Sequence, residues 1–371
     1  MTAVSIVIAF HDAGKYARRF VASLHSQTLS DFEAIFVDDA STDGGAAIIE
    51  GLAARDPRLR LIRLPRNLGA GAARNAGIRA ARGRTLCFAD PDDLLPETSL
   101  QVRYEAFRAH QAIVRACHDE ALDTGEMLNH ETRPQGLPAV CQPREEARRI
   151  GVNPFVCAHW TWLFPTKMIQ RLGVTNEEEL RTAEDIIFLA RLFFHIDKLV
   201  WIPDTVYYWL KRRDSLSNTV YTAEHYFDYL KCVDIFYDEA KAHKGLALAD
   251  SFCDQYLACY LSHLLTQVID GKSGEEDVRR VVGEALRICS KSGVLERRLG
   301  AVRAAPLRHP GLFRLWMAVT DTDPSMVNRL AKGQNVLGSL YQTAMRAAGA
   351  SGAPGGPGGQ GGPGEQDGER A

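Results

Sequence analysis

No run of uncharged apolar residues in this chain approaches the ~18 needed to cross a bilayer, so integral membrane insertion is not expected. Charge of one sign is also missing. Lys and Arg number 44 against 46 Asp and Glu, a formal net charge of −2, which argues against a broad nucleic-acid surface and against an acidic tail. The eight cysteines are scattered, with no C-x-x-C pair and no Cys/His cluster at zinc spacing, and reduced thiols in a cytoplasmic setting are expected. The opening run Met1–Ile8 lacks a basic n-region and a small-residue cleavage site and reads as a strand. No Gly-x-Gly-x-x-Gly follows that strand and no P-loop pattern occurs, so neither dinucleotide redox binding nor P-loop chemistry is supported. What is present is an ordinary globular composition, 46% hydrophobic and 24% charged, in a 371-residue chain long enough for two domains.

The first hundred residues alternate β-branched runs with helical patterns. Strands are expected at 5–10, 33–37, 59–64 and 85–89, and helices at 13–26, 44–54 and 70–81. Strand and helix in turn predict an α/β fold with a mostly parallel sheet, and nearly continuous runs such as Ser5-Ile6-Val7-Ile8-Ala9-Phe10 predict helices on both faces. Between Glu97 and Arg149 the pattern loosens to an amphipathic stretch at 100–110 and a polar segment at 123–143. A second organised block covers 153–218, and helical patterns follow at 223–242, 246–270, 275–293 and 326–347. From Gly349 onward the chain is mostly Gly, Pro, Gln and charge, which cannot bury apolar surface and reads as a disordered tail. The expected division is 1–220 for the α/β domain, 221–348 for a helical module and 349–371 for the tail.

In an open α/β sheet, ligands sit beyond the carboxyl ends of the strands. Those ends are acidic here: His11-Asp12 after the first strand, Asp38-Asp39 after the second, Asp90-Pro91-Asp92-Asp93 after the fourth. Acidic clusters that converge on one crevice repel unless a cation or donor lies between them, so a divalent metal and a diphosphate are the economical expectation. Trp160 and Trp162 read as core or cleft wall, and His159, with no partner at ligand spacing, as a packed or capping histidine.

The ordered series 4–12, 27–33, Val37-Asp38-Asp39-Ala40-Ser41-Thr42-Asp43-Gly44, Ala73-Arg74-Asn75-Ala76-Gly77 and Asp90-Pro91-Asp92-Asp93 resembles the family 2 glycosyltransferases of GT-A (Rossmann-like) fold. A weaker second portion, Ala183-Glu184-Asp185 and Tyr207-Tyr208-Trp209 through Arg212 to Ser215, extends the likeness to about residue 218. The resemblance implies a nucleotide-sugar site at Ala9, His11, Asp39, Arg74, Asp90 and Arg212, with Asp39 accepting the N3–H of uracil and Asp90 facing the ribose. His11 stands where the family usually has a base-stacking Tyr. Asp92 is implied as the ligand of Mn²⁺ or Mg²⁺. Asp185 is the candidate base, opening an apolar helix beside Glu184, which shares or raises its proton affinity.

The expected activity is inverting transfer from a nucleotide diphosphate, UDP before others, to a hydroxyl of a cell-envelope glycan or similar polyhydroxy acceptor. No nucleic-acid partner is expected. Basic pairs such as Arg279-Arg280 and Arg297-Arg298 suit peripheral contact at the inner face of a membrane. Two alternatives stand beside it: a sugar-phosphate nucleotidyltransferase, for which 10–15 is a poor basic Gly-rich loop, and a nucleotide-binding scaffold without turnover.

Overall fold

Residues 2–150, 158–212 and 223–243, with single positions 245, 280 and 284, are described by a computed structural model, and all lie in the first of two units, 1–304. The helical segments expected beyond 245, the tail, Ser215 and the basic pairs apart from Arg280 lie outside the described residues.

The βα alternation appears as expected, within a residue or two at each boundary. Strands β1 (Val4–Phe10), β2 (Phe32–Asp38), β3 (Leu59–Arg63) and β4 (Thr85–Ala89) alternate with helices α1 (Gly14–His25), α2 (Gly45–Ala53) and α3 (Ala70–Ala80). Every residue of β1, β2 and β4 is buried. The period of two in a strand sends Ile6, Ile8, Phe10, Ala34 and Phe36 to one face, where they meet Phe20, Val21, Leu24 and Ile49 of α1 and α2. Ala9, Ile35 and Val37 go to the other, against Ala73, Ala76 and Ala80 of α3. Close approach of α3 to β1 requires Gly77, because a Cβ there would stand 2.2 Å from Val7 Cγ1.

Beyond β4 come α4 (Ser99–His110), β5 (Ile113–Leu122), β6 (Met127–His130), β7 (Val140–Cys141), α5 (Pro143–Ile150), β8 (Trp162–Pro165), α6 (Thr166–Leu172), α7 (Glu184–Phe193), β9 (Leu199–Lys211) and α8 (Ala223–Ala242). The sheet runs β3-β2-β1-β4-β8-β5-β9-β7, with β6 paired to β5. β8 is antiparallel to both β4 and β5, so β5 and β9 share the direction of β1 to β4, and their carboxyl ends all open on one edge.

β5 is the element the sequence hid. Its run Ile113-Val114-Arg115-Ala116-Cys117-His118-Asp119-Glu120 carries five charged or titratable side chains, which breaks any strand pattern. Their charges are met across the sheet: Arg115 pairs with Glu131 at 2.7 Å and lies 3.8 Å from the Trp201 ring centre, His118 meets Glu131 at 2.8 Å, and Lys211 approaches Glu120 at 3.8 Å. Tertiary pairing thus overrides the local polarity.

Candidate active site

The loops after β1 and β2 are laced together. Asp12 N–H donates to Ser41 Oγ at 3.0 Å and Asp12 Oδ1 accepts from Thr42 N–H at 2.6 Å. The Thr42 bond, with His11 nearby, holds the Asp12 carboxyl below its ordinary range. Asp38 Oδ1 accepts from Ser41 N–H at 2.8 Å. Asp39 is buried, and its two oxygens accept from Leu68 N–H at 2.7 Å and Gly69 N–H at 2.8 Å, clamping the entry to α3. His11 Nδ1 lies 2.8 Å from the Asp39 carbonyl, which can only accept, so Nδ1 carries the proton and the part-exposed ring is held beside Asp39. Ala9 is the penultimate residue of the buried strand β1 that leads into them.

Arg74, buried within α3, has two carboxylate partners. One Nη bonds Glu184 at the start of α7, and the other meets Asp90 Oδ1 at 3.1 Å. Burial opposes its charge, but Glu184, Asp90 and Asp185 outweigh that and hold the guanidinium more firmly protonated than usual. Arg74 therefore joins the loop after β4 to the turn that carries Asp185. The resemblance implies Arg74 as a contact of the nucleotide or diphosphate; in the structure its fork bonds two protein carboxylates, Glu184 and Asp90. The Asp185 carboxyl is pushed up to about 7 by burial and then by Glu184, with Arg74 opposing. Its side chain keeps about a quarter of its surface exposed, so a carboxyl of near-neutral proton affinity still reaches the surface there.

Asp92 and Asp93 follow the same rule. Burial and then Asp90 raise Asp92, with Arg212 opposing, and burial with Asp92 and Asp90 raises Asp93 well above the carboxylate range. Arg212, at the end of β9, donates to the Asp92 carbonyl at 2.6 Å and to its carboxylate, and its guanidinium lies 4.8 Å from the Tyr16 ring centre. Tyr207 O–H donates to Asp93 Oδ2 at 2.9 Å and accepts from Asp90 N–H at 3.0 Å, while Leu210 N–H donates to Asp93 Oδ1 at 2.8 Å. β9 thus pins the acidic loop from beneath.

Among the described residues no three His, Cys, Asp or Glu side chains converge as a ready-made cage. The chemistry of the 90–93 loop still suits a hard cation. Burial, reinforced by the repulsion of neighbouring carboxylates, raises the proton affinities of Asp92 and Asp93, and Asp92 offers the oxygen donor such ions take.

The structure therefore gathers two groups from the expected residues: Ala9, His11 and Asp39 in one, and Arg74, Asp90, Glu184 and Asp185 in the other, with Asp92 and Arg212 paired beside Asp90. Trp162 is core, stacked on Phe164 at 6.0 Å, and Trp160 stacks on Tyr207 at 4.2 Å. Sequence reasoning gave no role to Tyr207 or Asp93, although both lay within the quoted motifs. It could not see four alanine and aspartate residues, Asp12, Ala40, Ala158 and Ala183, in the left-handed backbone region at φ 48°, 58°, 48° and 63°. Each costs about 1 kcal/mol or more and flanks one of the site's turns.

A model of glycosyl transferase family 2 matches residues 5–173. The chain is 26% identical over 321 residues to the uncharacterized glycosyltransferase EpsJ of Bacillus subtilis, covering 84% of this chain and 89% of that relative. It is 23% identical over 258 residues to the poly(ribitol-phosphate) beta-N-acetylglucosaminyltransferase TarS of Staphylococcus aureus, covering 67% of this chain and 44% of TarS. The crystal structure of S. aureus TarS 1-349 in complex with UDP-GlcNAc matches the fold with a TM-score of 0.63 at 19% identity, over 93% of this chain and 91% of that one.

Proposed function

From the premise that the chain belongs to glycosyl transferase family 2 through residues 5–173 and is a glycosyltransferase of GT-A fold, we propose that it transfers a sugar from a uridine diphosphate donor to a hydroxyl of a cell-envelope glycan, with inversion. The observation that carries this reading is the Arg74 bridge, which ties the Asp90 loop to the turn bearing Asp185 and so makes the donor loop and the base one unit. The UDP-GlcNAc held by the S. aureus relative supports uridine, and that relative's poly(ribitol-phosphate) acceptor supports an envelope polymer.

In the proposed reaction Asp185 removes the proton from the acceptor hydroxyl, and the oxygen so freed attacks the anomeric carbon from the face opposite the diphosphate. A base poised near neutrality suits that step, since it is ionised at working pH yet still attracts a proton. His11 and Asp39 border the nucleoside, with Asp90 beside the ribose. Asp92 would hold a divalent ion, Mn²⁺ or Mg²⁺, which supplies positive charge to the leaving diphosphate. Arg212 adds a second cation there. No helix among the described residues is long and apolar enough to cross a bilayer.

The test is release of UDP across a panel of UDP-sugars, with Mn²⁺ or with EDTA, on wild type and on Asp185→Asn. Metal-dependent release from one donor, reduced about 10²-fold or more in Asp185→Asn, is expected. No release from any donor, together with no metal-dependent UDP binding by calorimetry, overturns the proposal.

A further inference from the structure

His159 opens the single helical turn His159–Thr161 that leads into β8. It is 1% exposed, and neither ring nitrogen has a hydrogen-bond partner. Such a group weakens the resting fold unless it serves a partner that forms later. The ring stacks on Phe88 of β4 at 4.6 Å, which fixes its plane, and Nδ1 then lies 3.7 Å from Asp185 Oδ2. That gap is too long for a hydrogen bond and short enough for a small side-chain rotation to close.

The groups around the pair come from every neighbouring element. Helix α7 presents Asp185 and Glu184, α3 presents Arg74, and the end of β4 presents Asp90. β5 brings His118 edge-on to the adjacent Trp160, and β9 brings Tyr207 flat against it. Burial, with the Arg74 cation, holds His159 well below its ordinary range, so the imidazole is neutral and one nitrogen keeps a lone pair.

We propose that His159 is a positioning residue for Asp185: its neutral Nδ1 accepts the hydrogen bond of the carboxylic acid that forms when the acceptor hydroxyl gives up its proton. The inference rests on the reading of Asp185 as the base. In the step, the acceptor O–H bond breaks and its proton passes to Asp185. The freed oxygen bonds to the anomeric carbon, and the bond from that carbon to the diphosphate breaks. His159 gains a hydrogen bond and no proton, so a charge never develops on the buried ring beside Arg74. By accepting from the acid form and not from the carboxylate, it strengthens Asp185 as a base.

The experiment follows the Asp185 carboxyl directly, in the full-length chain labelled with ¹³C at aspartate carboxyls and titrated by NMR. The signal is assigned by its loss in Asp185→Asn. His159→Phe keeps the stacking on Phe88 and removes the acceptor, while His159→Asn returns an oxygen close to the position of Nδ1. The Asp185 midpoint is expected to fall by about half to one pH unit in His159→Phe and to return in His159→Asn. In UDP release from UDP-GlcNAc, kcat should fall roughly three- to tenfold in His159→Phe with donor KM unchanged, and recover in His159→Asn. A midpoint that does not move overturns the coupling. One that moves upward overturns it too, because it means the ring donates to the carboxylate. His159→Leu, read in the same way, replaces His159→Phe if the latter loses its fold by circular dichroism. Failure of the base reading is separately visible, as Asp185→Asn transferring sugar at the wild-type rate.

Discussion

Arg74→Ala is the sharpest perturbation of this site, because the guanidinium is the cation shared by Glu184 and Asp90. The Glu184 side chain is only 10% exposed, and without Arg74 it stays buried next to Asp185 with no opposite charge. Removing one partner of a buried pair leaves the desolvation cost of the other in place and destabilises by about 3–5 kcal/mol. For a urea slope near 3 kcal/mol/M the unfolding midpoint, followed by tryptophan fluorescence, should fall by roughly 1 to 2 M. The cause can be separated from lost packing. The double variant Arg74→Met/Glu184→Leu removes both charges at similar volume, and it should recover most of the stability while remaining inactive. Arg74 also opposes the rise in the proton affinity of Asp185, so its loss should move the acid limb of the rate profile to higher pH in whatever activity remains. An Arg74→Ala midpoint within ~0.3 M of wild type, or a double variant no more stable than the single, would refute the argument that this pair is the electrostatic link between the two halves of the site.

Four further outcomes are expected. With Asp185 near 7 and required in its ionised form, kcat should rise with pH through about 7 and fall about tenfold per unit below it, measured by UDP release from pH 5 to 9. Folding carries the opposite sign. The folded carboxyl binds its proton more tightly than the unfolded one, whose ordinary value is 3.8, so the contribution of Asp185 to stability falls as pH rises between about 4 and 7. Tyr207→Phe strands Asp93 Oδ2 and Asp90 N–H and should cost about 1–3 kcal/mol in urea unfolding, with weaker donor binding by calorimetry. Gly77→Ala forces a methyl against Val7 and should cost about 1–3 kcal/mol, with Val7→Ala in the same chain restoring part of it.

Much of the first half was legible in the sequence. Buried parallel strands need continuous apolar runs, and the helices between them carry the 3.6 period, so β1 to β4 and α1 to α3 could be read from pattern alone. The acidic residues at the ends of β1, β2 and β4 were legible for the same reason. Once those strands are parallel, their carboxyl ends must share an edge. Asp185 is named because its Glu-Asp step before an apolar helix resembles that of the family, but nothing local says what that step faces.

Tertiary structure alone decided the rest. β5 is a strand because Glu131, Trp201 and Lys211 receive its charges from positions up to 91 residues away, as with Glu120 and Lys211, a fact no local period encodes. Arg74, which the resemblance implies as a nucleotide-sugar contact, is held by Glu184, 110 residues along the chain. His159 reads locally as a packed histidine, and packed it is, yet the fold sets its unpartnered Nδ1 3.7 Å from Asp185. Periodicity and strand-end chemistry are properties of neighbours in sequence, and the sequence by itself determines them. Proton affinity depends on burial and on charges brought from distant segments, so the environment that raises the Asp185 carboxyl toward neutrality belongs to the folded chain.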